Sequence, residues 1–535
     1  MSKVARFAEV APAIPLPPTG PQTYTYKLSA KQQSKINPYA RVTVPFGHRT
    51  VSGVVIRLHS RPALYRTKSI IAVFPAALTS RQVQFARWMA QVSHGGLGYT
   101  LRLFQPPGAS LVCGGSPGDS PGPSAPSLKP PVALIDGNFN HRCRKLRTII
   151  RQYISQGHQV LILAPEKWMA ELLNQQLNNL SPTLIYADLP ASHLNSVWQQ
   201  IRAGQPKLII GTQKALFLPF NNLKLVVIEE EQYATHKLWD QYPRLHNISG
   251  AEQLAYLHAA SLLYTSSFSS LRLRHALQNK TIKALVNKPL IPRTSLVKYD
   301  FEDKVKRYAL PSSFVCRLRK WLKDKDEVLL FYNQRDNDHL KKILNQNHLS
   351  SPRLTLSTSA IFAAEPGKKF NRIVWLHPER SLSYPDFRSH ERALVTLSRL
   401  QQSLSSRQRR IFLVTRRPDT VEKIFIRPPA EAFAGILKER QRFSYPPYTD
   451  LVRLTIKAKT KAAAMKRSIL IRQQIDRRLS KNSSVKVRGP FHDLSHLPKN
   501  KPEVQILLTG SLKVLINIYK NLAVDAADLT PERIL

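Results

Sequence analysis

"VALIDGNFNHRCRKLRTII" runs from Val132 to Ile150. An apolar strand enters a glycine, Gly137, and a helical pattern follows. Strand, glycine and helix are the frame of a phosphate-binding loop, where backbone N–H groups converge on phosphate oxygens at a helix N-terminus. Such a loop needs further glycines, a lysine for the β- and γ-phosphates and a hydroxyl for Mg²⁺. Here the frame holds Asn138, Phe139, Asn140, His141, Arg142 and Cys143. With no further glycine and no lysine among these residues, an ordinary strand–loop–helix connection without a ligand is the better reading.

Downstream of this stretch, apolar strands and helices alternate. "QVLILAP" (159–165), "TLIYA" (183–187), "KLIIGT" (207–212), "KLVVIEE" (224–230) and "ASLLYTSS" (260–267) read as buried strands. A second set follows in "EVLLFYN" (327–333), "RLTLST" (353–358), "RIVWLHP" (372–378) and "RIFLVT" (410–415). Continuous apolar strands separated by helices predict doubly wound parallel sheets, so the expected class is α/β with two lobes facing a cleft. Upstream, residues 1–105 form a β-rich domain, with "QTYTYKL" and "ARVTVPFGHRTVSGVVIRL" as strands and 80–93 as a helix. Residues 106–131 are dense in Pro, Gly and Ser and read as a flexible linker. The expected lobes are 132–290 and 291–427, followed by an α+β module at 428–535.

A chain of 535 residues is too long for one core. It has no apolar run long enough to span a membrane, and its first residues lack the apolar core of a signal peptide, so a cytoplasmic location is expected. Cys113, Cys143 and Cys316 are far apart and form no CxxC pair, which argues against both a disulfide framework and a zinc knuckle. Charge is the strongest global signal: Lys+Arg is 80 against Asp+Glu 34, a formal net of +46. Such an excess attracts polyanions, and nucleic acid is the expected partner.

Several segments then resemble the PriA replication restart helicase family. "QTYTYKL…ARVTVPFGHRTVSGVVI" is similar to that family's domain for the 3′ end of a nascent DNA strand. "IIGTQKALFLPFNNLKLVVIEEEQYATHK", "QYPRLHN", "EVLLFYNQR", "SYPDFRSHER", "LKERQRFSYPPYTDLVRL" and "DLTPERIL" follow in the family's order. The resemblance implies a role in replication restart, with links to DNA repair and recombination, and replication restart or primosome proteins as partners. It also implies an N-terminal pocket for a DNA terminus lined by Tyr24, Thr25, Tyr26, Gly47 and Lys68. In the C-terminal module, Arg440, Arg442, Lys457 and Lys459 are basic residues interleaved with aromatics, a pattern that suits single-strand or fork DNA contacts.

The departures from the family concern chemistry. Its loop reads G-x-T-G-S-G-K-T. Here Gly137 survives, Asn140 and Arg142 stand for glycines, and Cys143 and Arg144 stand for the Lys-Thr pair. Lys145 would serve as the lysine only after a one-residue shift, and the hydroxyl would still be missing. The acidic box is Glu229, Glu230 and Glu231, with Gln232 for the family's histidine. Ser403 and Ser406 fall where the family has arginine fingers, and its zinc-binding cysteine pairs have no counterpart. The joint losses imply a non-catalytic fork-recognition and recruitment factor, with no ATP, Mg²⁺ or zinc. The alternative is an ATP-dependent 3′–5′ helicase with an atypical nucleotide site.

Overall fold

A computed structural model describes residues 6–17, 19–105, 131–237, 245–288, 293–299, 310–332, 337–365, 367–383, 386–406, 409–427, 429–480, 483–492, 502–529 and 531. The expected linker, apart from Pro131, lies outside the described residues, as does most of "DLTPERIL".

The first unit is a five-stranded antiparallel sheet. Its strands are β1 (Phe7–Pro12), β2 (Tyr24–Lys27), β3 (Ala40–Phe46), β4 (Arg49–His59) and β5 (Ala72–Ala77), in the order β2-β1-β4-β3-β5. β3 and β4 form a hairpin closed by Gly47 and His48, and Gly47 takes φ +59°, a backbone region where a side chain is strained. The helix Ser80–Val92 begins with a capping box at Thr79 and Gln82 and carries the unit onto the next, where Gln82 Nε2 donates to the Phe217 carbonyl at 2.8 Å.

The alternating segments fold as expected into an α/β architecture. β6 (Val132–Asp136), β7 (Gln159–Leu163), β8 (Thr183–Ile185), β9 (Leu208–Gly211), β10 (Leu223–Glu229), β11 (Ser261–Ser266) and β12 (Lys283–Asn287) make a parallel sheet of order β12-β6-β11-β10-β7-β9-β8. Every residue of β7 and β9 is buried, which accounts for their unbroken apolar runs. β13 (Thr294–Lys298), β14 (Val328–Phe331), β15 (Leu354–Ser357), β16 (Arg372–Leu376) and β17 (Ile411–Thr415) form a second parallel sheet, ordered β13-β17-β16-β14-β15. β12 and β13, at sheet edges, were not among the strands read from sequence.

The last unit is an antiparallel sheet of β18 (Asp450–Lys457), β19 (Lys486–His492), β20 (Glu503–Gly510) and β21 (Ala526–Leu529), ordered β19-β20-β18-β21. The helices Lys461–Arg478 and Leu512–Tyr519 pack on it through Ile471, Ile475 and Leu515. A fully buried ammonium ties this unit to the first lobe. Lys237, just past the acidic box, pairs with Asp528 on β21, and Arg453 on β18 holds the other carboxylate oxygen at 2.9 Å. Among the described residues, no helix is long and apolar enough to cross a membrane.

Candidate functional site: the loop after β6 and the edge of β2

The loop after β6 leads into the helix Phe139–Ser155. Asn138 is its N-cap, and its side-chain oxygen accepts from the His141 amide at 3.0 Å, so one of the donors that a phosphate would need is met internally. The Gly137 amide donates to the Ser266 carbonyl at 2.8 Å. A Cβ on Gly137 would meet the Lys288 carbonyl at 3.5 Å and the His141 ring at 3.9 Å, ordinary contacts, so no close approach demands a glycine there.

Arg142 lies one helical turn further on and is entirely buried. Its guanidinium reaches Glu229 and Glu230 at 2.6 Å each and donates to the Gly137 carbonyl at 2.6 Å. The remaining carboxylate oxygens are also met: Thr265 donates to Glu229, and the Ser267 amide (3.0 Å), the Ser267 hydroxyl (2.9 Å) and Gln232 donate to Glu230. Burial raises the Glu229 pKa, with Arg142 opposing the rise. Burial also works against the charge on Arg142, but the two glutamates outweigh it and hold the guanidinium protonated. Two of the three carboxylates of the acidic box are thus paired with a permanent cation belonging to the chain. Lys145 is exposed on the helix, outside this cluster. This donor set does not fit a magnesium–triphosphate, because the carboxylates that would hold the metal's water shell already hold Arg142. Burial pushes the Cys143 thiol up to about 12, so it is an inert core residue.

A cleft of about 460 Å³ remains between the lobes, in front of Asn138 and Phe139, with Trp168, Phe362 and Ser403 among its walls. The lobes are joined across it. The Arg399 guanidinium lies 4.3 Å from the Tyr233 ring centroid and 4.2 Å from that of Phe362, and pairs with Glu166 at 3.3 Å. Gln402 donates to the Ser267 hydroxyl at 2.8 Å. Ser403 turns back on its own helix, donating to the Arg399 carbonyl.

The N-terminal pocket residues gather at the open edge of β2. The Lys68 ammonium reaches the Gly47 carbonyl at 3.0 Å. Tyr24 meets Phe46 edge-on, with centroids 5.1 Å apart. Thr25 is half-buried, and its amide donates to the phenol of Tyr65 at 3.0 Å. Tyr26 requires a correction. It is 4% exposed, its hydroxyl donates to the Pro45 carbonyl, and burial, then Tyr65 and Tyr24, push its pKa up to about 12. Its ring belongs to the core with Ala8 and Val10, so it offers no stacking face. Sequence reasoning missed Phe46 and Tyr65; for Tyr65, nothing in the pattern sets one loop tyrosine apart.

In the C-terminal unit, Arg442 and Lys459 are exposed as a DNA contact requires. Arg440 is not: it is 4% exposed and pairs with Glu391 of the second lobe at 2.7 Å, a structural role that corrects the expectation. Lys457 sits opposite Glu503 in the β18–β20 register and pairs with it at 2.7 Å.

Residues 9–106 match the family model described as the PriA 3′DNA-binding domain. The chain is 28% identical over 192 residues to the replication restart protein PriA of Haemophilus influenzae, covering 35% of this chain and 26% of that protein. It is 24% identical over 338 residues to the PriA of Rickettsia conorii, covering 55% and 49%. The matches therefore span about a quarter to a half of the length of these curated relatives. Among solved structures, the DUF1998 helicase MrfA bound to DNA and AMPPNP is 14% identical with a TM-score of 0.35, covering 59% of this chain and 49% of that one. A DEAD box protein from Methanococcus jannaschii is 11% identical with a TM-score of 0.29, covering 59% and 86%.

Proposed function

We propose, for a chain related to the PriA replication restart proteins, that it is a non-catalytic DNA-binding protein of replication restart. In this reading it recognises a DNA terminus at a fork through residues 9–106, holds branched or single-stranded DNA on its basic surface, and recruits replication restart or primosome proteins in the cytoplasm. One observation carries the reading. Arg142 joins Glu229 and Glu230 in a buried cluster in which both guanidinium NH2 groups and all four carboxylate oxygens are hydrogen-bonded, and its side chain fills the space behind the loop from within. Removing that cation to admit a nucleotide would leave two buried carboxylates uncompensated, at a cost of about 3–5 kcal/mol. The absence of arginines at Ser403 and Ser406 points the same way, since such fingers contribute about 10³–10⁵ in rate. The C-terminal contacts are assigned to Arg442 and Lys459.

The test is steady-state ATP hydrolysis with and without forked DNA. No turnover above background is expected. DNA-stimulated turnover abolished by Glu230→Gln would overturn the reading in favour of an atypical helicase.

A further inference from the structure

β2 is the edge strand of the first sheet, so one side of its backbone has no strand partner. The register with β1 leaves the amides of Thr25 and Lys27 on that open side. The segment after β4 covers them in two ways. Lys27 exchanges backbone hydrogen bonds with it, donating to the Lys68 carbonyl at 2.9 Å and accepting from the Ile70 amide at 3.2 Å. At Thr25 the cover is a side chain, the phenol of Tyr65 at 3.0 Å. Since that oxygen accepts, its own proton is free to donate outward.

This arrangement leaves the ring uncovered. Tyr65 is 55% exposed and Leu64 beside it 108% exposed, although both are large apolar side chains. Arg61, Arg66 and Lys68 flank them and are exposed as well. Simple protection of a strand edge would be served by a backbone or a charged side chain, and it does not account for an aromatic and a leucine standing in water. An aromatic face rimmed by cations is what a nucleic-acid base and its phosphates recognise.

We propose that Tyr65, with Leu64 beside it, is the platform on which the last base of a single-stranded 3′ segment stacks, in the role that the buried Tyr26 cannot fill. The proposal rests on the reading that residues 9–106 bind DNA termini. The occupant is single-stranded DNA because the platform is anchored next to Lys68, its rim is cationic, and a paired base has its faces already stacked.

The experiment measures binding of the full chain to overhang DNA by fluorescence anisotropy. The overhang ends in a normal 3′ nucleotide, in an abasic 3′ nucleotide, or is closed into a hairpin with no terminus. Tyr65→Ala is expected to weaken binding to the normal end about 10-fold, within the range of base–aromatic stacking. Tyr65→Phe, which keeps the ring and loses the hydrogen bond to Thr25, is expected to retain most of the affinity. The abasic end should bring the wild-type protein close to the Tyr65→Ala level and leave that variant unchanged. An equal loss by Tyr65→Ala on normal and abasic ends, or no loss, would overturn the platform. Wild-type protein that binds the closed hairpin as tightly as the open end would instead overturn the reading beneath it. Thermal melting of both variants separates a local effect from an unfolded domain.

Discussion

At the scale of single residues, the decisive group is Arg142. It is the one cation shared by two buried carboxylates, so removing it should be costly. Arg142→Ala is expected to destabilise the chain by about 3–5 kcal/mol in denaturant melts. Replacing all three together, Arg142→Met with Glu229→Gln and Glu230→Gln, should recover much of that loss, because no unpaired charge remains. A second expectation concerns Glu231, whose carboxyl burial raises from 4.5 to about 7. A carboxyl raised in the folded state contributes its full stability below the unfolded value and loses it as pH rises through the folded one. Between pH 4.5 and 7, therefore, the stability of the wild type should fall relative to Glu231→Gln. The Ser270 amide, 2.7 Å from Glu231, still finds an acceptor in the glutamine. The two proteins melting in parallel across that range would refute this assignment.

At the scale of elements, the helix Pro429–Phe443 separates two arginines that look alike in sequence. Arg440 follows Phe433, Ile436 and Leu437 at helical spacing, and that apolar stripe packs in the second lobe's core. This periodicity was the signal that could have placed Arg440 inside. Arg440→Ala should lower the melting temperature, whereas Arg442→Ala or Lys459→Ala should leave it unchanged and weaken DNA binding. The same helix shows why the fold was more legible than the site. Continuous apolar strands such as β7 announce themselves because both faces are covered. β12 alternates exposed and half-buried residues at an edge and has no such signature. The pairing of Arg142 with residues 87 and 88 positions away could not be read at all. Sequence revealed a missing glycine, and only the helix entering beside the ends of β6 and β10 turns that loss into an ion cluster. In the first sheet, alternation along β2 puts Tyr24 and Tyr26 on one face and Thr25 on the other, and Ala8 and Val10 behind that face fix Tyr26 as core.

At the scale of the whole molecule, charge and closure act together. With a net of +46, DNA affinity is expected to fall steeply with salt, and Lys68→Ala should weaken binding to all sequences while reducing the salt slope by about one. The lobes are already joined through Arg399, Glu166, Tyr233 and Phe362, so adding ATP should leave DNA affinity unchanged within error, and a nucleotide-dependent shift would refute the closed cleft. The buried guanidinium also carries a thermodynamic consequence. A protein that binds a free nucleotide is stabilised by RT ln(1 + [L]/Kd), so its folded fraction follows the supply of that ligand. Arg142 is a ligand on a covalent tether, at a local concentration that dilution cannot change. The first lobe should therefore melt at the same temperature in nucleotide-rich and nucleotide-starved solution, and its abundance in a cell should not follow energy charge.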